Sequence, residues 1–453
     1  MQMYNIFFQL QYFSHFSNHI FYLTLQKKAM AIILSNATYI DYATLLFKHS
    51  HIRVTEGNNG TIEFLNEVPH DTSDEIIDCK GKYVMHSFAC GHHHAYSALA
   101  RGMGAPKKSP ANFYEILKYV WWTLDKCLNK DMIEVSALVT AVASAKNGVT
   151  FVIDHHASPF AVNGSLEIMA QAFEKVGVSH LLCYEISDRD GESVTQAGLK
   201  ETENYLKTHQ GLVGLHASFT VSNQTLKEAV SLAEKYNSGI HIHVAEDLYD
   251  QNQCLHQHGQ KVVERLHKAG VLQFPKTILG HCLHIDDEER NYIAQSPAWV
   301  VQNSESNLNN NVGFFNAKGL DKNRIMLGTD GMHSDMLRSA KAAFFVGQPF
   351  DSIDYSGIYQ RFTNIHRYIE TNQFKGNGLN NLVVLDYDSP TAFHKDNFLG
   401  HFVFGIESRH VEHVISNGKL IVKNKKIQTI DETALLKQSQ ELSTVLWKKM
   451  QAL

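Results

Sequence analysis

The chain has 453 residues, 44% of them hydrophobic and 19% charged, which fits an ordinary soluble globular protein with one large domain and an accessory. Forty-one basic residues face 46 acidic ones for a formal net charge of −5, and no Lys/Arg block is dense enough to track a phosphate backbone, so nucleic acid is not an expected partner. The six cysteines, Cys79, Cys90, Cys127, Cys183, Cys254 and Cys282, are scattered with no CxxC pair, which predicts a reducing, cytoplasmic setting rather than a disulfide framework.

Residues 1–29 are aromatic-rich, but Gln, Asn, Ser and His interrupt every apolar run before a membrane-spanning length accumulates. Lys27 and Lys28 follow the apolar stretch, and no A-x-A-like site is present, so a secretory signal is not expected either. The segment reads as a non-native or disordered upstream extension, with the chain proper starting at Met30. No membrane partner follows from it.

From residue 30 to 85 short alternating runs such as "HIRVTEG" and "TIEFLNE" are separated by Gly and Asn, a pattern of short antiparallel strands. Residues 381–453 return to that texture, with a hairpin signal at Asn417-Gly418, and close on an amphipathic helix. Between them, over residues 86–380, apolar runs alternate with helical stretches such as "SLEIMAQAFEKVG". The runs are "YVMHSFACGHHH", "GVTFVIDHH", "SHLLCYEIS", "GLVGLHASF", "GIHIHVAED", "KTILGHCLH", "AWVVQNSES" and "RIMLGTDG". Eight β/α units predict an α/β fold, a (β/α)8 TIM barrel, whose chemistry sits where the strands end. The two flanks predict a small β-sandwich assembled from both chain ends.

Each run ends in residues able to bind a ligand. His92 and His94 are two apart on the first strand and share a face, while His93 points away. His243 ends the fifth run, and Glu246 follows three residues later, where a carboxylate can reach a bound substrate and move a proton. His241 reads as a histidine of the barrel interior. His281 ends the sixth run and Asp330 the eighth. An Asp before Gly is commonly only a turn residue, but four separate strand ends delivering such groups predict one divalent metal, zinc first and iron second, with a position open to water. At the second strand His155 and His156 are candidates for substrate binding, against a capping or supporting role. Trp121 and Trp122 sit on an amphipathic helix, for which core packing is the plainer reading and a lid the sharper one.

The HxH, HxxE, His and Asp set resembles the amidohydrolase superfamily in its mononuclear deaminase and chlorohydrolase-like branch. Longer stretches, "YSALARGM", "VIDHHASP", "CYEISDRDG", "LHASFTVS" and "SNLNNNVG", are similar to the SsnA-type aminohydrolases from about residue 30 onward. The resemblance implies that His92, His94, His243 and Asp330 hold the metal, and that Glu246 and His281, with Asp330, manage protons around a metal-activated hydroxide. It also implies that His216 faces the substrate, and "LHASF" in place of a strand-four lysine argues for a single ion. Two departures are His86-Ser87-Phe88, where Pro-Gly-Leu is usual, and His93, where Thr is common. The implied function is hydrolysis of C–N bonds other than peptide bonds: deamination of an amino-substituted heterocycle. Ring-opening of a cyclic amide is the second enzymatic reading, and an inactive barrel with an assembly role is the non-enzymatic one. The implied partners are a small-molecule substrate and, in a homodimer or larger homo-oligomer, other copies of the chain.

Overall fold

The computed structural model describes residues 31–453; the reading of residues 1–29 lies outside them. Strands β1 (Ile32–Ile40), β2 (Phe47–Val54), β3 (Ile62–Leu65), β4 (Glu75–Asp78) and β5 (Tyr83–His86) open the chain. The next eight are parallel: β6 (Phe88–His93), β7 (Val149–His156), β8 (Ser179–Tyr184), β9 (Val213–Ala217), β10 (Ile240–Val244), β11 (Ile278–His281), β12 (Trp299–Gln302) and β13 (Ile325–Leu327). Strands β14 (Leu382–Leu385), β15 (Val411–Ser416), β16 (Lys419–Lys423) and β17 (Lys426–Ile427) return to the first group. They join it in one nine-stranded sheet, ordered β17-β16-β15-β14-β5-β1-β2-β3 with β4 beside β1. This sheet closes over its own apolar cluster, which includes Leu34, Ile52, Val84, Val384 and Ile415.

The parallel strands make a (β/α)8 barrel. Its ladders run β6-β7-β8 and β9 to β13, and short bridges complete the ring. Leu182 with Gly211 and Ile186 with Leu215 link β8 to β9, while His93 with Asp330 links β6 to the exit of β13. The long first run is divided. Tyr83–His86 pairs with the flanking sheet, and the barrel begins at Phe88. At the division His86, the last residue paired in the flanking sheet, has its ring nitrogens 3.0 Å from Ser87 O and 3.2 Å from Gly378 O and packs against His366.

The helices between strands bury one stripe and cap cleanly. Ser222 Oγ accepts the Thr225 amide at the start of helix 223–235, and Gly177, at φ 92°, ends helix 165–176 in a conformation that favours glycine. The segment 113–127 differs: a π turn over Leu117–Trp121 interrupts an otherwise α-helical run. The last helix, Glu432–Ala452, lies against helix Lys130–Lys146 and is pinned where Trp447 Nε1 donates to Leu99 O at 2.8 Å.

Candidate active site

A parallel strand in a barrel is apolar along its buried length, so polar groups collect where it leaves. Strands β6, β10, β11 and β13 do this with histidines and an aspartate. His92 is the penultimate residue of β6, and His94 lies one residue beyond its end. Both rings nevertheless turn inward, centroids 4.7 Å apart, whereas His93 turns out to Thr329 Oγ1 at 2.9 Å. The backbone at Ala245, His281, Cys282 and Asp330 takes positive φ, 44° to 66°, in residues that ordinarily avoid it. Such conformations persist where packing enforces them and concentrate at functional sites. Gly328 belongs to the same fit, since a Cβ there would stand 2.9 Å from His92 O.

The rings are aimed by their second nitrogens. His94 Nδ1 donates to His155 O at 2.6 Å and His243 Nδ1 to His216 O at 2.8 Å. Their Nε2 atoms are left as lone pairs facing each other at 3.2 Å. His92 Nδ1 lies 2.9 Å from His241 Nε2, with His241 Nδ1 3.8 Å from Cys183 Sγ, so the barrel-interior histidine orients His92. Asp330 Oδ1 is 3.3 Å from His94 Nε2 and 3.9 Å from His92 Nε2, and it accepts the Gly331 amide at 2.7 Å. His281 Nε2 is 3.6 Å from Asp330 Oδ2 and 3.5 Å from Glu246 Oε2. Asn307 Nδ2, 2.7 Å from His281 Nδ1, donates to it and places the His281 proton on Nε2, toward the two carboxyl groups.

Donor atoms of His92, His94 and His243 lie within 4.8 Å of one another, and so do those of His92, His281 and Asp330. His92 Nε2 and His281 Nε2 are buried with no hydrogen-bond partner in the protein, where buried polar atoms are ordinarily paired. Three clustered imidazoles, their outer nitrogens engaged behind them, with the Asp330 carboxylate 3.3 and 3.9 Å from two of them, fit a divalent ion of the zinc type.

Charge states divide the carboxyl groups. Burial, followed by the neighbouring Asp330, pushes Glu246 well above the usual carboxylate range. For Asp330 burial acts the same way, but His94 and His281 outweigh it and hold it below its ordinary value. Burial lowers His281 to about 4, and a low pKa keeps an imidazole neutral at pH 7.

Above these groups opens a cavity whose empty space, including the open solvent at its mouth, is about 840 Å3. His94, His216, His243, Glu246 and Asp330 line it. His155 and His156, expected against substrate, stand behind its wall. His155 Nε2 donates to Leu215 O and His241 O at 3.1 and 3.2 Å, and His156 Nε2 lies 2.9 Å from Ser158 Oγ. The backbone carbonyl of His155 is what reaches His94. Trp121 and Trp122, read first as core, both border the cavity, Trp121 while also packing against the main apolar core.

Glu185 and Arg189, just after β8, had been passed over in "YEISDRDG" and also line the cavity. Arg189 pairs with Asp125, lies 3.0 Å from Asp190 and 3.6 Å from Glu185, and packs on the Trp122 ring at 5.1 Å. Burial opposes ionisation of Glu185, and His216, His155 and Arg189 outweigh it, so its carboxyl lies below the usual range. The available signal was a charged pair at a strand exit, as at Asp330.

Residues 83–361, more than half of the chain, match the amidohydrolase family. A 5-methylthioadenosine/S-adenosylhomocysteine deaminase of Thermoanaerobacter pseudethanolicus is 24% identical over 395 residues, covering 82% of this chain and 89% of the relative. A 5'-deoxyadenosine deaminase of Methanocaldococcus jannaschii is 25% identical over 426 residues, 86% of this chain and 95% of the relative. Among solved structures, an adenosine deaminase from Xanthomonas campestris with bound zinc superposes with a TM-score of 0.79 at 16% identity, covering 94% of this chain and 99% of that one, which is a likeness of fold. By its barrel and by the span of residues that match, the chain belongs to the amidohydrolase family.

Proposed function

We propose that the protein is a metal-dependent aminohydrolase that releases ammonia from an amino-substituted heterocycle. The observation that carries this reading is the convergence of His92, His94 and His243, with Asp330 3.3 Å from His94 and 3.6 Å from His281, and Glu246 3.5 Å from His281. The deaminase names of the relatives support it.

His92, His94, His243 and Asp330 would hold the ion, zinc by its donor set; when bound it supplies Lewis acidity and brings the pKa of water from about 15.7 toward about 7. Asp330, ionised and beside His281, would take up the proton released by water and pass it to the amino group, which leaves as ammonia when the C–N bond breaks, while the hydroxyl proton of the tetrahedral carbon returns to Glu246. Glu246, its carboxyl raised by burial and by Asp330, would donate a proton to the ring nitrogen beside the carbon under attack. The His281 Nε2–H holds the oxygen that becomes anionic as the carbon turns tetrahedral. The Trp121 and Trp122 side of the cavity narrows the mouth and offers aromatic surface to a flat substrate.

In this reading residues 86–380 form the catalytic barrel, and 30–85 with 381–453 form the flanking unit. Six free, buried cysteines support a reducing compartment such as the cytoplasm, and no helix among the described residues is long and apolar enough to cross a membrane. Phe345, Phe404 and Tyr355, mutually packed and more than 40% exposed, support self-association.

The test is ammonia release by zinc-loaded protein from purines, pyrimidines, guanidino compounds and pterins, beside metal content per chain. Turnover with one zinc per chain supports the proposal. Hydrolysis of cyclic amides without ammonia release from any of these compounds would overturn it.

A further inference from the structure

Glu185 is a carboxylate that the reaction above does not use. It follows β8, its side chain is only 3% exposed, and it borders the cavity. A Glu185 oxygen lies within 4.8 Å of donor nitrogens of His94 and His155, and likewise of His216 and His243. It is therefore about one ring's width from His94 and His243, on the wall built by β7 to β9, whereas Glu246 and Asp330 follow β10 and β13. A substrate whose reacting carbon sits beside Glu246 and His281 meets Glu185 with that same ring.

Behind the group its amide donates to His156 O at 2.7 Å, while its carboxylate stands 3.3 Å from His155 Nδ1 and 3.6 Å from Arg189 Nη1, neither of which completes a hydrogen bond with it. Arg189 is already engaged by Asp125 and Asp190, and Asp190 also pairs with Lys126 at 2.7 Å. Three carboxylates surround one guanidinium and balance its charge, so this wall offers a substrate the Glu185 acceptor, with Arg189 Nη1 buried and unpartnered beside it. An ionised carboxylate only accepts hydrogen bonds. A ring N–H facing it is bound, and a ring nitrogen lone pair is repelled.

We propose that Glu185 determines specificity by accepting a hydrogen bond from an N–H of the reacting ring. The favoured substrates are then heterocycles in which the amino-bearing carbon is flanked by one N–H and one bare nitrogen, as in the 2-amino-4-oxo ring of guanine or pterin. Adenine-type rings, whose amino-bearing carbon is flanked by one bare ring nitrogen and one ring carbon, offer no N–H there and are disfavoured. This rests on the deaminase reading.

Zinc-loaded wild-type protein, Glu185→Gln and Glu185→Leu are assayed for ammonia release from guanine, pterin, adenine and adenosine, with calorimetric binding of the same four compounds and zinc content measured in parallel. In the wild type, kcat/KM for guanine or pterin should exceed that for the adenine compounds by at least about 100-fold, since a site built to bond an N–H rejects analogues that lack it. Glu185→Gln, whose neutral amide can turn to accept or donate, should narrow that ratio at least about tenfold, and Glu185→Leu further, with zinc content unchanged. A wild type that prefers adenosine, or variants that lower every substrate equally, would refute the role of Glu185 while leaving the deaminase reading intact. If none of the four releases ammonia, the deaminase reading loses its support and binding alone decides: guanine held better than adenine by the wild type but not by Glu185→Gln upholds the recognition, and equal binding overturns it.

Discussion

His241 Nε2 and His92 Nδ1 lie 2.9 Å apart between two fully buried rings, so the orientation of a first-strand histidine is set by one on the fifth strand, 149 residues later. Groups that fix a ligand's tautomer in this way typically change metal affinity by about 10- to 100-fold when removed. His241→Phe should lower zinc affinity by that factor, measured by competition with a chromophoric chelator, while far-UV circular dichroism stays as in the wild type. Unchanged affinity would mean that the 2.9 Å contact orients nothing.

Glu246 contributes to proton transfer rather than to holding the ion. Glu246→Gln should keep its zinc and lose about 10²- to 10⁴-fold in kcat, the usual share of general acid–base help. Metal analysis beside steady-state kinetics checks both halves. Loss of zinc with loss of activity would instead make Glu246 part of the coordination.

Chelation should lower thermal stability without unfolding the barrel, because the apolar core is continuous through the helices and strands that carry the site. An ion present at about 100 times its dissociation constant stabilises the folded state by about 2.7 kcal/mol. Calorimetric scans of chelator-treated and zinc-restored protein should differ in Tm by a few degrees and regain the higher value on zinc addition. Equal melting temperatures would argue against a site that prefers the folded chain.

The metal-free protein should lose stability on acidification. Burial lowers the pKa of His86, His92, His93, His156, His180, His216, His241, His243, His281 and His366. In the unfolded chain these ten rings protonate as the pH drops through about 6.5, while in the fold they stay neutral to lower pH. The unfolded state then binds more protons, and stability falls as pH falls. Asp125, Asp154, Glu246, Asp250 and Glu289, raised by burial, work in the opposite direction. Ten against five leaves the histidines dominant. Chelator-treated protein should melt at a lower temperature at pH 5.5 than at pH 7.5; a higher value at pH 5.5 would reverse the balance.

Trp122 contacts His216 edge-on at 5.8 Å and carries Arg189 on its face. Trp122→Ala should raise KM about tenfold, in line with about 1–3 kcal/mol for stacking a base on an aromatic ring, with a smaller change in kcat. An effect confined to Tm would return this residue to a packing role.

The barrel and the six polar residues at its mouth were legible because each strand is an apolar run with an abrupt polar end, and that transition survives in a single sequence. His92 and His94 were legible as a pair from their spacing alone, even though the strand stops at His93. What was not legible depends on register between distant strands. Nothing near His241 announces that it meets His92, and nothing near His155 shows that its carbonyl, rather than its ring, reaches the site. Trp121 and Trp122 were read first as core, and Trp121 does pack against it; that both also border the cavity was not legible in a segment the π turn interrupts. The Pro-Gly-Leu to His86-Ser87-Phe88 departure was visible, but its consequence, a histidine at the junction of sheet and barrel, needed the three-dimensional contacts.

The ring of strands is closed by backbone bonds between the two ends of its own sequence: the amides of Thr329 and Asp330 both donate to His92 O at 3.0 Å. Hoop closure and the grip of the site are therefore one mechanical event, because the same two residues supply the clasp and its side chains. Solvent deuterium should reach the Asp330 amide only when the hoop parts, so its exchange rate would report from the main chain on whatever the side chains are holding.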